Sequence, residues 1–328
     1  MSNSLKSLAA LSLAAALPAL AAEPSRELHV VAGSGVAGFR DGKGSQAQFN
    51  KPIRLAPFGP DAILVADIYN HALRVVSKDG SVRTLAGAAD RKGHQDGPAA
   101  EARFASPHGV AVSTDGRIAV AEAEGHTLRL LVKDAAAAGG YLVSTLAGTP
   151  GQQGLREGPV AHSLFNSPHA VLWAEDGAVV ATDIGNARLR RVKAGSVETI
   201  AGATKGDFVY PMDIAWAKDG AILVADAGSH LLRRVGKDGT LTTLTLDAPL
   251  ATPHGVASGP DGTIYVADMK SHRILAIDAR GHVTAVAGTG QAGAEPAALN
   301  RPAAVLVHAG WLWVADLDNH RISALPLE

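Results

Sequence analysis

The sequence predicts an all-β fold, a six-bladed β-propeller with four antiparallel strands per blade, on three observations. Four short apolar segments recur in fixed order, each of strand length, rich in β-branched residues and bounded by Gly, Asp or Pro. A proline opens each repeat, at Pro52, Pro107, Pro168, Pro211, Pro253 and Pro302, and the separations of 42 to 61 residues suit a propeller blade, with extra loop in the early repeats. The last repeat ends after its third segment, while an orphan copy of the fourth, LHVVAG, stands at residues 28–33.

Taken in chain order, the first residues read as an export signal. Lys6 precedes an apolar stretch from Leu8 to Leu17, and the triplet Ala19, Leu20, Ala21 stands just before Glu23, so residues 1–21 are expected to be a signal peptide and 22–328 a single propeller domain. The expected location is periplasmic or secreted. No later run is long enough to span a bilayer, so no membrane span is expected in the mature chain.

The first strand of each repeat follows its proline, as in HGVAV and MDIAW. The second reads ILVAD, IAVAE, VVATD, ILVAD, IYVAD and LWVAD, and the third HALRVV, HTLRLL, ARLRRV, HLLRRV, HRILAI and HRISAL. The fourth reads VRTLAG, VSTLAG, VETIAG, LTTLTL and VTAVAG, and the N-terminal LHVVAG is expected to complete the sixth blade, closing the ring and covering an open sheet edge.

Composition excludes several functions. The 328 residues are 47% hydrophobic and 19% charged with a formal net charge of -1, and no Lys/Arg stripe occurs, so the long-range attraction that nucleic-acid binding needs is missing. Without cysteine there are no disulfides, thiolate nucleophiles or Cys-type zinc sites. The chain is expected to be a monomer.

At the third strand, Asn70-His71-Ala72-Leu73-Arg74 and Asn319-His320-Arg321-Ile322 resemble the NHL repeat, and the resemblance extends over the mature chain, with Ala187 departing from it in the third blade. His71, His126, His230, His272 and His320 recur around the ring and so cannot build one site; each is expected to hydrogen-bond across its own blade. Asp67, Glu122, Asp183, Asp226, Asp268 and Asp316 end the second strands and are expected to accept backbone N–H groups of the turn that follows.

Function is expected where the repeat is broken on the axis. The residue after each opening proline is, in blade order, Ile53, His108, His169, Met212, His254 and Ala303. Three histidines and a methionine on consecutive blades could share a channel-mouth metal: three His suit catalytic zinc, and a Met ligand leans toward copper. The alternative reading makes Pro-His an ordinary start to an inner strand, each imidazole bonded to a neighbouring loop carbonyl. Asp213 is a further ligand-binding candidate, because Gly or Ala replaces it in four other blades. Glu124, Lys270 and Asp318 share the turn offset of Tyr69 and are expected to line the same mouth as ligand-binding groups, with His94 and His162 in the long loops nearby.

The Pro-His motif also resembles the peptidyl-hydroxyglycine lyase half of peptide-amidating enzymes. That resemblance implies zinc held by His108, His169 and His254 and a catalytic Tyr69, two residues beyond Asp67. It departs in taking its histidines from the second, third and fifth blades rather than alternate ones, and in lacking the lyase arginine. Three functions stand open on the sequence: a module binding a small molecule, peptide or protein at the channel mouth; a metal-dependent lyase or hydrolase; and, last, a calcium-dependent lactonase, for which no Glu/Asn/Asp set occurs at the inner-strand starts.

Overall fold

The computed structural model describes residues 27–327, so the expected signal peptide at 1–21 lies outside the described residues. Six antiparallel sheets form the six blades, with almost no helix beyond single 3-10 turns. The inner strands are Pro52–Pro57, Pro107–Val112, Pro168–Trp173, Pro211–Trp216, Pro253–Ser258 and Pro302–His308. Each pairs outward with its second strand, then the third, then the fourth.

Closure is as the sequence predicts. His29–Ala32 pairs antiparallel with Arg321–Pro326, giving the sixth sheet its fourth strand and burying Leu28 and Ala32. Deleting residues 27–33 should therefore expose the edge of Arg321–Pro326 and lose burial worth roughly 2–3 kcal/mol. Thermal melts and gel filtration check this: the truncated protein is expected to melt earlier and to self-associate, and an unchanged melt would mean that the velcro strand carries no stability.

The early loops are more ordered than the sequence suggests. Gly42–Lys43, Gly97–Pro98 and Gly158–Pro159 each add a two-residue fifth strand outside the fourth strand of blades one, two and three. Second strands such as Ile63, Leu64, Val65 and Ala66 are fully buried on both faces, because neighbouring blades cover each sheet on either side. The apolar core is thus divided into layers between blades, for example Leu64, Leu73, Phe104, Val110 and Val120 between blades one and two.

The repeated polar residues tie these layers together, though not in the predicted way. The second-strand carboxylates accept N–H groups from the loop ahead of their own inner strand, as Asp67 does from Asn50 at 2.7 Å, Asp183 from Asn166 at 2.7 Å and Asp316 from Asn300 at 2.8 Å. The turn that follows contributes side-chain donors instead, such as Asn70 and Asn319. Four of the six also meet a buried arginine of the third strand: Asp67 with Arg74 at 2.9 Å, Glu122 with Arg129 at 3.2 Å, Asp183 with Arg190 at 2.8 Å, Asp316 with Arg321 at 2.8 Å. Arg74, Arg129 and Arg190 lie over Phe49, Phe104 and Phe165 at 5.1 to 5.3 Å and donate to carbonyls of the same loops, so one guanidinium locks loop to blade.

Four of the five recurrent histidines are staples between blades, which corrects the expected bond within a blade, while His71 Nδ1 is buried without a hydrogen bond. His71, His126, His230, His272 and His320 all sit at left-handed backbone positions, φ 49 to 61°, that end the 3-10 turns or tight turns after the second strand. From there the Nδ1 of His126 accepts the Ser167 N–H at 3.0 Å, that of His272 the Arg301 N–H at 3.1 Å and that of His320 the Lys51 N–H at 3.2 Å, each acceptance crossing to the next blade. His230 reaches the Ala251 carbonyl with the same atom.

Candidate functional site

A bulge in every blade creates the site. In each inner strand the ladder skips the second position or its neighbour, as between Pro107 and Gly109, Pro168 and Val171, Pro211 and Asp213, and Pro253 and Gly255. A bulge re-aims the side chain it carries, and here the re-aimed residues are Ile53, His108, His169, Met212, His254 and Ala303. Glycine follows in blades two and five because neighbouring backbones are close: a Cβ on Gly109 would stand 2.2 Å from the His169 carbonyl oxygen, and one on Gly255 2.7 Å from that of Ala303.

The three histidines lie close together. The ring centroids of His108 and His169 are 3.9 Å apart, and those of His108 and His254 6.3 Å. His108 and His254 are buried and His169 nearly so. Burial is the main reason that all three are held neutral, with His169 lowered to about 4, His254 to about 3 and His108 well below its ordinary value. The Arg54 guanidinium adds to the effect on each of them. His169 Nδ1 lies 2.8 Å from the Ser167 carbonyl and His254 Nδ1 2.8 Å from that of Ala303. A carbonyl only accepts, so both rings carry their proton on Nδ1 and leave Nε2 as a bare acceptor. His108 Nδ1 is buried without a well-formed hydrogen bond.

One layer below, at the third position of the inner strands, a charged pair spans the channel. Arg54 of blade one reaches Asp213 of blade four, directly opposite in a six-bladed ring, with Nη1 2.7 Å from Oδ2 and both side chains under a tenth exposed. Asp213 further accepts the N–H groups of Ile214 and Val256 at 2.9 Å each, and Arg54 Nη2 donates to the Met212 carbonyl at 2.9 Å. Asp213 is therefore a plug of the channel, turned away from the rim where ligand contact was expected. Arg54 was not singled out in the sequence. The signal was present in PIRLAP: Arg54 stands where Gly109, Ala170, Gly255 and Ala304 stand in other blades, the same break in pattern that marked Asp213.

The other expected groups stand on turns at the end of the blades where the inner strands begin. Turn and loop emerge together there, as Tyr69 N–H to the Asn50 carbonyl and Met269 N–H to that of Thr252 show. Tyr69 is 56% exposed on its 3-10 turn, and Lys270 is exposed on another. Glu124 pairs with Lys92 and accepts from Ser106, which holds its carboxyl below the usual range, and Asp318 pairs with Lys51 and Arg301. Among the described residues, no hydrogen bond or ion pair joins Tyr69, Glu124, Lys270 or Asp318 to the three channel histidines. His94 lies elsewhere, 2.9 Å from Thr145 and 3.4 Å from Glu122 within blade two.

Neutral imidazoles suit zinc or copper when their free nitrogens converge on one point. Among the described residues, no three His, Cys, Asp or Glu side chains are placed to share an ion. The bonds from Nδ1 of His169 and His254 to carbonyls leave Nε2 free, as in metal-ligating histidines, while the Arg54 guanidinium beside them repels added positive charge.

Comparison with known proteins bears on the fold. The NHL repeat matches residues 104–129 and 250–277, which contain His108 and His254. No curated protein matches the chain in sequence. Among solved structures, an auxiliary nutrient binding protein from Bacteroides ovatus shares 15% identity, with 92% of this chain and 77% of that one covered and a TM-score of 0.64. A gluconolactonase from Xanthomonas campestris shares 17% over 86% and 87%, TM-score 0.63, and virginiamycin B lyase from Staphylococcus aureus 16% over 88% of both, TM-score 0.57. Identities this low establish the propeller and nothing finer, and the resemblance to peptide-amidating lyases rests on the sequence motif alone.

Proposed function

We propose that this six-bladed propeller of NHL repeats is an exported binding protein that takes a small polar ligand at the histidine end of its channel. The convergence of His108, His169 and His254, with bare Nε2 acceptors on at least two of them, carries the reading. Such acceptors favour a ligand rich in hydroxyl or N–H donors, and the exposed rings of Tyr69 and Tyr210 offer faces against which a sugar or short peptide could lie. Glu124, Lys270 and Asp318 supply polar groups around the rim.

A lyase or lactone-hydrolase reading is the alternative, supported by the histidine cluster and by the enzymes among the structural neighbours. The basicity of the cluster weighs against it. A general base works best with a pKa near the working pH, whereas imidazoles at about 4 and about 3 are weak proton acceptors.

The test is a thermal-shift screen of the mature protein against neutral sugars, polyols and short peptides, run with wild type and His169→Ala, alongside hydrolysis assays on aldonolactones and elemental analysis. A saturable rise in Tm that is lost in a well-folded His169→Ala protein is expected. Lactone turnover dependent on the histidines, or one bound metal per chain, would replace the binding reading with the enzymatic one.

A further inference from the structure

The channel has a second end. Beyond Arg54 and Asp213, positions four to six of the inner strands enclose a cavity of about 280 Å³. Its wall is apolar, with Leu55, Val110, Leu172, Ile214, Val256 and Val305 among its residues. Trp173 and Trp216 stand at its outer end, bridged by the Trp216 indole N–H to the Trp173 carbonyl at 2.9 Å. A shallower depression around Lys218 and His308 shares Trp216, Ser258 and Val307 with it, so the cavity opens on the face opposite the histidines.

At its inner end lies an unsatisfied donor. Arg54 lines the cavity, its side chain is 5% exposed, and its Nε is buried without a hydrogen bond, Nη1 being paired with Asp213 at 2.7 Å. A buried donor in that state costs stability until an acceptor reaches it. Asp213 already balances the guanidinium charge, so a second carboxylate would stand uncompensated beside it, whereas a neutral carbonyl would satisfy the free N–H at no Coulombic cost.

We infer that this end of the channel is a separate binding site for a small apolar molecule with a neutral carbonyl head, the carbonyl on Arg54 and the hydrocarbon toward the two tryptophans. Three strand residues give a depth of roughly 10 Å, which suits a chain of about eight carbons. The site does not depend on the histidine reading, since the ion pair separates the two ends.

Octanamide is the probe, followed by tryptophan fluorescence, with octylammonium and octanoate as head-group controls. Octanamide should bind saturably, octylammonium at least tenfold more weakly because it offers no acceptor, and octanoate more weakly than the amide. Ala215→Phe, which fills the cavity from its wall, should weaken octanamide at least tenfold while thermal-shift responses to polar ligands at the other end stay unchanged. Should that variant fail to fold, Trp216→Ala at the rim decides, with a tenfold loss again expected. No saturable binding of octanamide, binding indifferent to both variants, or tighter binding of octanoate would each overturn the assignment.

Discussion

Asp213→Ala should lower the stability of the folded chain by about 3–5 kcal/mol, because it strands the Arg54 guanidinium inside the channel. Arginine cannot escape by losing its proton at ordinary pH, so the charge stays buried. With an unfolding entropy of roughly 2 cal/mol/K per residue, a loss of that size corresponds to a fall in Tm on the order of 5–8 °C for a chain of this length. Removing both partners is different. Arg54→Met with Asp213→Leu replaces the pair by apolar groups of similar size, and should melt within about 2 kcal/mol of wild type. Arg54→Met alone should be milder than Asp213→Ala and milder still in acid. Burial already pushes the Asp213 carboxyl up, so without its partner it can take a proton and become neutral. Calorimetry of the three variants at two pH values checks the whole pattern. If Asp213→Ala melts with wild type, water reaches the pair and the channel is not plugged.

That pair also shows where sequence reading stops. The blades were legible because propeller strands are short, β-branched and punctuated by proline and glycine, and the orphan LHVVAG required the closure seen between His29–Ala32 and Arg321–Pro326. The histidine cluster was legible because one break in the repeat fell at the same position in three blades. Three things were not. Contact between Arg54 and Asp213 depends on blades one and four being opposite, which is a property of the ring and of no local segment. The direction of the recurrent histidines depends on a left-handed φ at His71, His126 and their equivalents, which turns the imidazole toward the next blade instead of its own. Burial of the third-strand arginines in RVV, RLL and RRV was not legible, because it depends on the returning loop, which brings carbonyls and a phenylalanine to cover them. The surroundings of the imidazoles were hidden for the same reason, since only the packed structure reveals a guanidinium beside them and a backbone carbonyl on two of them.

Acidification should destabilise the protein between about pH 6.5 and pH 4, and the histidines should be the reason. An imidazole held at about 4 in the fold but near 6.5 when unfolded binds its proton preferentially in the unfolded chain, so stability is full above 6.5 and is lost as pH falls toward the folded value. For His169 the loss by pH 4 is on the order of 3 kcal/mol, and for His254, at about 3, somewhat more. The recurrent histidines act in the same direction. Burial lowers His71, His126 and His320, and protonation would put a hydrogen on the Nδ1 that His126 and His320 use as acceptors. Buried carboxylates oppose this. Asp67, raised to about 6 by burial, takes up its proton first in the folded state, so acid favours the fold through that window, and Asp183, Asp213 and Asp316 shift the same way. Tm against pH for wild type alone therefore mixes two signs. The difference between wild type and His169→Asn/His254→Asn separates them, because asparagine keeps a donor for the Ser167 and Ala303 carbonyls and cannot titrate. The wild-type curve should fall more steeply from pH 6.5 to 4, while the two curves run parallel above 7. Parallel curves throughout would mean that the cluster accepts protons without penalty, which requires a hydrated channel mouth and removes the basis for reading its imidazoles as fixed, neutral acceptors.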